Sequence, residues 1–239
     1  MSIHQSTSQR LHTNLVNFLS LKEPGDRLPS EPDLARQMGV SRATLREAMR
    51  TFETQGLLYR RQGSGTYVAR PPKVIESGLE LLESIETLSA RIGLPVSMGD
   101  YKIEETPADA EVAKALNFEI GDPVFRVSRV ILVEDHPAAF LVDILPADLL
   151  PLNELQESFT GSVLDLLLRR KTPRLISSRC EITADTATSD VARAMGIQRG
   201  DVLLRFIAYL YASTDRVVDY SFSYFLPGYF RFHVVRRVG

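Results

Sequence analysis

Cysteine is almost missing from this 239-residue sequence. Cys180 stands alone, which excludes an internal disulfide framework and any cysteine-rich zinc site. Histidine is sparse too: His4, His12, His136 and His233 show none of the close pairings that metal sites use, so no structural metal and no cofactor are expected. No apolar run approaches the ~18 residues of a membrane span. The stretch Met1 to Arg10 is polar and lacks the apolar core of a secretion signal, so a cytoplasmic chain is expected. Neither sign of charge dominates, the net value being −2. What remains is ordinary for a folded protein, with 44% hydrophobic and 24% charged residues, and wholesale disorder is excluded. The length suits one large domain or two ordinary ones.

The small net charge hides an asymmetry. Residues 1–70 hold ten Lys and Arg against six Asp and Glu, a balance of +4, while the remainder holds eighteen against twenty-four, a balance of −6. A modestly basic first third on an acidic remainder points to a polyanion for that third only.

The pattern of that third agrees. Leu11, Leu15, Val16, Phe18 and Leu19 make a helical stripe that Pro24-Gly25 ends. Ser30 can cap a second, short helix, with Glu31 and Asp33 in its first turn and Gly39 as its stop. Ser41 can cap a third, whose Leu45, Ala48, Met49 and Phe52 face inward while Arg42, Arg46 and Arg50 recur on a neighbouring face. Two short helices across a Gly-containing turn are the helix-turn-helix pattern. The opening turn of its second helix enters the major groove, where Arg42 and Arg46 reach guanine edges or phosphates and the helix N-terminus holds a phosphate. The same helices also fit a small bundle with a solvated arginine face. Leu57 to Val68 then reads as strand, Gly-rich turn and strand, a wing with Arg60 and Arg61 beside a flexible tip at Gly63 and Gly65.

Residues 24–68, PGDRLPSEPDLARQMGVSRATLREAMRTFETQGLLYRRQGSGTYV, resemble the winged helix-turn-helix of GntR-family bacterial transcription regulators. The resemblance implies DNA contacts from Ser41, Arg42, Ala43 and Arg46 on the recognition helix and from Gln62 and Gly63 in the wing. Thr44 in the same helical turn, and Arg60 and Arg61 beside the wing tip, complete the expected surface. The chain departs from the family at Pro32, where a DNA-contacting arginine usually follows Ser-Glu.

Residues 70–78, opening Arg70-Pro71-Pro72-Lys73, are expected as a linker between a DNA-binding domain at 1–69 and a second domain at 79–239. Hydrophobic spacing in the second domain predicts helices at Leu79–Ile92, Pro107–Leu116 (capped by Thr106), Gly161–Arg170 and Thr186–Met195. Strands are expected at Tyr101–Glu105, Pro123–Val133, Ala138–Leu145, Arg174–Ala184, Asp201–Tyr211, Arg216–Phe225 and Tyr229–Val235, with His136 in a turn. Antiparallel hairpins among helices make this α+β. Helix, Gly-Asp turn, strand occurs twice, at Gly121-Asp122 and Gly200-Asp201, as in a duplicated sheet.

Strand alternation carries the chemistry. Arg129 shares a face with Phe125, Val127, Ile131 and Val133, so its guanidinium is expected to be buried and to need an anion. That anion is either an internal carboxylate, Asp143 or Asp219, or a ligand. Cys180 on a strand reads as a small core residue.

The doubled pattern, the Asp-His-Pro hairpin and the ending Asp219-Tyr220-Ser221-Phe222-Ser223-Tyr224 together resemble the effector domain of the HutC branch of these regulators, the UTRA domain, with a chorismate-lyase-like fold. The resemblance implies that Arg129 and Ser162 hold an acidic group of a small-molecule effector and that Asp219 faces the pocket. The family's sugar-phosphate binders carry further polar groups where this chain has Ile131, Leu141, Leu164 and Phe225, and Glu86 beside Ile85 stands at a polar position of the first helix. The expected effector is therefore one acidic group on an apolar body. The whole chain is expected to be a homodimeric repressor on a palindromic double-stranded DNA operator. A constitutive DNA-binding protein is the alternative. A lyase-like enzyme is disfavoured, because no nucleophile–base constellation is visible.

Overall fold

The computed structural model describes residues 7–61, 64–69, 74–94 and 96–236. The chain divides into two compact units, 1–73 and 74–239.

The first unit opens with α1 (Thr7–Leu19), α2 (Glu31–Met38) and α3 (Arg42–Thr54). Ser30 caps α2, and Gly39 ends it with φ 67°, sending its N–H back to the Ala35 and Arg36 carbonyls. Ser41 caps α3, its Oγ accepting the Thr44 N–H at 3.1 Å. Leu11 and Leu15 of α1, Leu34 of α2, and Leu45, Met49 and Phe52 of α3 bury together, with Ala48 packed at the margin. The hairpin β1 (Leu58–Arg61) and β2 (Gly65–Val68) closes that core with Leu58 and Val68, which face each other across it. The segment before α2 pairs with the free side of β2: the Leu28 N–H reaches Thr66 O at 2.8 Å, and Arg27 bridges to Tyr67.

The second unit is built on six antiparallel strands. In chain order its elements are β3 (Ile75–Gly78), α4 (Ile85–Arg91), β4 (Val96–Pro107), α5 (Ala110–Leu116), β5 (Pro123–Val133), β6 (His136–Pro146), α6 (Leu152–Ser158), α7 (Val163–Arg170), β7 (Leu175–Thr186), α8 (Ser189–Met195), β8 (Val202–Ala212), β9 (Val217–Phe225) and β10 (Phe230–His233). The large sheet runs β4-β5-β6-β9-β8-β7, and β3 pairs with β10 in a separate parallel ribbon.

The expected duplication is plain in three dimensions. Each half is strand, helix, strand, strand, and the halves meet where β6 pairs with β9. The Gly-Asp turns repeat bond for bond. The Gly121 N–H donates to Ala108 O at 2.8 Å and the Gly200 N–H to Ala187 O at 2.9 Å, while Asp122 accepts the Glu119 N–H and Asp201 the Gln198 N–H, each at 2.9 Å.

One sheet face buries Val124, Val142, Ile144, Tyr220 and Phe222 with Val112 and Leu116 of α5. The other face carries two separate apolar clusters. Phe125, Val127 and Leu145 pack with Leu155 of α6 and with Val163, Leu166 and Leu167 of α7. Ile131, Val133, Leu141 and Phe225 pack with Ile85 and Leu88 of α4.

Several boundaries differ from the sequence expectation. Ile75–Gly78, placed in the linker, is a strand because β10 supplies a partner; Arg70 to Lys73 lie outside the described residues. The helix expected from Leu79 starts only at Ile85, because Ser84 caps it through the Thr87 N–H at 3.0 Å. Leu79, Leu81 and Leu82 are consequently exposed. Thr106 and Pro107 end β4, and Asp109, not Thr106, caps α5. His136 begins β6, because Glu134 and Asp135 alone make the turn, both at positive φ. The expectation for α6 was absent, and the last strand is shorter than expected, at Phe230–His233.

Candidate functional sites

The opening turn of α3 presents Ser41, Arg42, Ala43, Thr44 and Arg46 to solvent. Ser41 Oγ lies 2.7 Å from Thr44 Oγ1, so both hydroxyls sit at the helix N-terminus, where backbone N–H groups attract an anion. Arg46 is held rather than loose: its Nη2 and Nε reach Glu31 Oε2 at 2.7 and 3.1 Å. Arg60 on β1 joins the same carboxylate at 3.2 Å and Glu53 at 2.5 Å. Glu31 thus ties α2, α3 and the hairpin together. The Arg46 hydrogen bond, with the nearby charges of Arg60 and Arg42, holds its carboxyl below the usual range against a smaller effect of burial.

The hairpin adds Arg61, whose guanidinium lies 5.4 Å from the Tyr59 ring and 5.3 Å from the Tyr67 ring, themselves stacked at 5.5 Å. Gln62 and Gly63, expected at the wing tip, lie outside the described residues. Arg27 joins this basic group without being expected. A Cβ added to Gly65 would sit 3.0 Å from Arg27 Nε, so the side chain lies against the wing. Nothing in the helical periodicity pointed there; its bridge to Tyr67 did.

The second site is a polar island between the two apolar clusters of one sheet face. Arg129 is 3% exposed and ion-paired through Nη1 to Asp143 Oδ2, itself buried. Of the partners considered from the sequence, the internal carboxylate Asp143 is the one observed. Arg129 Nε lies 3.9 Å from Glu86 Oε1 on α4 and makes no hydrogen bond among the described residues. Both Glu86 oxygens and Asp219 Oδ1 are likewise buried without a hydrogen-bond partner. Burial pushes the Glu86 carboxyl up, opposed by the Arg129 charge. Burial pushes Asp219 well above the usual carboxylate range, reinforced by the charge of Asp143 and opposed by Arg129 and by hydrogen bonds from Ile144 and Ser221. One guanidinium therefore faces three carboxyl groups.

Around this island the other expected residues distribute unevenly. Leu141 pairs with Arg129 across the strands and is buried, and Ile85 and Phe225 belong to the same cluster as Leu141. Ser162 is buried but serves as the cap of α7, accepting the Asp165 N–H at 3.1 Å. It borders the island through Gly161, whose added Cβ would lie 3.7 Å from Glu86 Oε1. Leu164 packs against the other apolar cluster. Phe159, whose ring lies 5.9 Å from the Arg129 guanidinium, was not expected. Cys180 is exposed, correcting the core expectation, because β7 is an edge strand. Among the described residues no group of His, Cys, Asp and Glu could hold a metal ion, and no helix is long and apolar enough to cross a membrane.

Comparison with known proteins gives two family matches. Residues 20–68 match the model of bacterial regulatory proteins of the gntR family, and residues 93–231 match the UTRA domain. The chain is 32% identical over 205 residues to the HTH-type transcriptional repressor NagR of Bacillus subtilis, covering 84% of this chain and 81% of that protein. It is 28% identical over 221 residues to the mannosyl-D-glycerate transport/metabolism system repressor MngR of Escherichia coli, covering 90% and 88%. The crystal structure of PhnF from Mycobacterium smegmatis shares the fold, with a TM-score of 0.62 at 23% identity over 96% of this chain and all of that one.

Proposed function

Because the chain belongs to the GntR family of bacterial regulatory proteins and carries a UTRA domain, it is a DNA-binding transcriptional regulator, not an enzyme, and we propose that it is a homodimeric repressor released from its operator by a small molecule. The observation that carries the reading is the Ser41-capped α3, with an exposed arginine-bearing opening turn beside a basic hairpin. Ser41, Arg42, Ala43, Thr44 and Arg46 meet the major groove, and Arg27, Arg60, Arg61, Gln62 and Gly63 meet the backbone or minor groove beside it. Two such units on a twofold-symmetric protein fit a palindromic site.

The effector enters at the polar island. The sequence favoured one acidic group on an apolar body. Arg129 supports the acceptor half of that description, and Ile131, Leu141 and Phe225 support the apolar half. The surplus of carboxyl groups adds a requirement: the ligand also donates hydrogen bonds, to Glu86 and Asp219, because a buried acceptor left unpaired is costly. For release, the effector binds one domain arrangement more tightly than the other.

The test is fluorescence anisotropy on duplex DNA from upstream of the chain's own gene, with random duplex as competitor. Salt-sensitive binding that survives competitor, is weakened by Arg42→Ala and is reversed by a metabolite fraction supports the reading. Binding no tighter than to random DNA, with and without metabolites, overturns it. The Arg129–Asp143 pair favours a second reading, a constitutive DNA-binding protein in which the island is structural. In that case no metabolite fraction releases the operator, and Arg129→Ala lowers stability alone.

A further inference from the structure

The large sheet has two edges, and they are not alike. β4 is blunted as natural edges are: it has a bulge between Met98 and Tyr101, and it carries Asp100, Glu104 and Glu105 against a lone Lys102. β7 has less of either: one register shift near its start, and Arg179 balanced by Glu181 with Asp185 beyond them. Its register with β8 shifts only at Leu175/Ser177, and from there to Thr186 it pairs without irregularity, with no Pro or Gly. It is exposed along most of its length on both sides.

Its alternation is also informative. Ser178, Cys180, Ile182 and Ala184 share one side, while Arg179 and Glu181 point to the other and pair at 2.7 Å. The first row continues an apolar surface. Cys180, Ile182 and Ala184 lie beside Ala208, Phe206 and Leu204 of β8, and Phe206 packs on Phe225 and Phe232 at 5.0 and 4.5 Å. Yet Ile176 and Ile182 remain 53% and 42% exposed. A half-apolar edge that runs without irregularity from Ser177 to Thr186 is a template for another strand.

We propose that β7 is where two copies of this chain join, edge to edge and antiparallel, about a twofold axis at Cys180. The proposal rests on the homodimer reading and assigns its surface. Antiparallel pairing of two identical strands about a twofold places one residue opposite itself. The axis at Cys180 lets nearly the whole of β7 overlap. It sets Arg179 opposite Glu181 of the partner subunit, twice by symmetry, and brings the Ser178, Cys180 and Ile182 rows of both copies onto one face. An axis at Arg179 or Glu181 would set like charges against each other, which is destabilising.

Two measurements on the full chain test this. A short bis-maleimide is expected to cross-link the native protein through Cys180, and Cys180→Ser to abolish the product. By sedimentation, Glu181→Arg is expected to weaken the dimer about tenfold or more, and Arg179→Glu with Glu181→Arg together to restore it, since the exchanged charges are again complementary. Both positions are exposed, so the single variant is expected to keep the parent's circular dichroism. A dimer that neither cross-links nor responds to Glu181→Arg overturns the proposal and leaves the homodimer reading standing. A wild-type monomer at all concentrations overturns both.

Discussion

Asp219 and Glu86 are carboxyl groups that burial keeps protonated beyond the ordinary range, and this gives the island a pH signature. A folded-state pKa above the unfolded one contributes stability that is complete below about pH 4 and is lost as pH rises through the folded value. Asp219→Asn keeps a neutral group there. Melting curves from acid to neutral pH are expected to show the variant gaining on the wild type as pH rises; a constant gap would contradict this. Asp143→Ala leaves the Arg129 charge buried without its partner and is expected to cost about 3–5 kcal/mol by denaturant titration. Strand alternation alone made the burial of Arg129 legible. It could not decide among Asp143, Asp219 and a ligand, because that choice depends on which strands become neighbours. The same alternation misplaced Cys180, since a residue's parity says nothing about whether its strand lies inside a sheet or at its edge.

Elements were legible where a cap or a Gly marks their ends. Ser30, Ser41, Gly39 and Gly196 fall where the sequence placed them or within the expected boundary. Apolar spacing without such punctuation misled, as at Leu79, Leu81 and Leu82, which continue a helical stripe in sequence yet stand exposed ahead of the Ser84 cap. The polar Asn153 to Ser158 stretch hid α6 for the opposite reason, with Leu155 as its buried residue. The duplicated turns offer a paired test. Gly121 and Gly200 have φ of +98° and +92° with open space where a Cβ would go, so strain alone opposes a side chain. Gly121→Ala and Gly200→Ala are each expected to cost roughly 1–2 kcal/mol, matched within error, in thermal unfolding. A large disparity would mean that the two turns are not equivalent supports.

At the scale of the molecule, the sign of charge follows the division of labour. The basic balance lies in the first third, and the unit it forms holds the arginines around Glu31. Glu31→Gln removes the counter-charge from Arg46 and Arg60. Anisotropy on random duplex is expected to show tighter binding with a steeper salt slope, and a narrower preference for the operator; unchanged random-duplex binding would mean that these arginines do not reach phosphate. The helix-turn-helix was legible because its residues carry a specific punctuation of Ser, Gly and Arg.

The doubling of the sheet has a last consequence, for counting. Arg129 lies eight residues after Gly121, and eight residues after Gly200 stands Ala208. The repeat thus provides the scaffold twice but the guanidinium once, and Phe206, Phe225, Phe230 and Phe232 crowd together in the second half. Calorimetric saturation is therefore expected at one effector molecule per chain, never two, whatever that molecule proves to be.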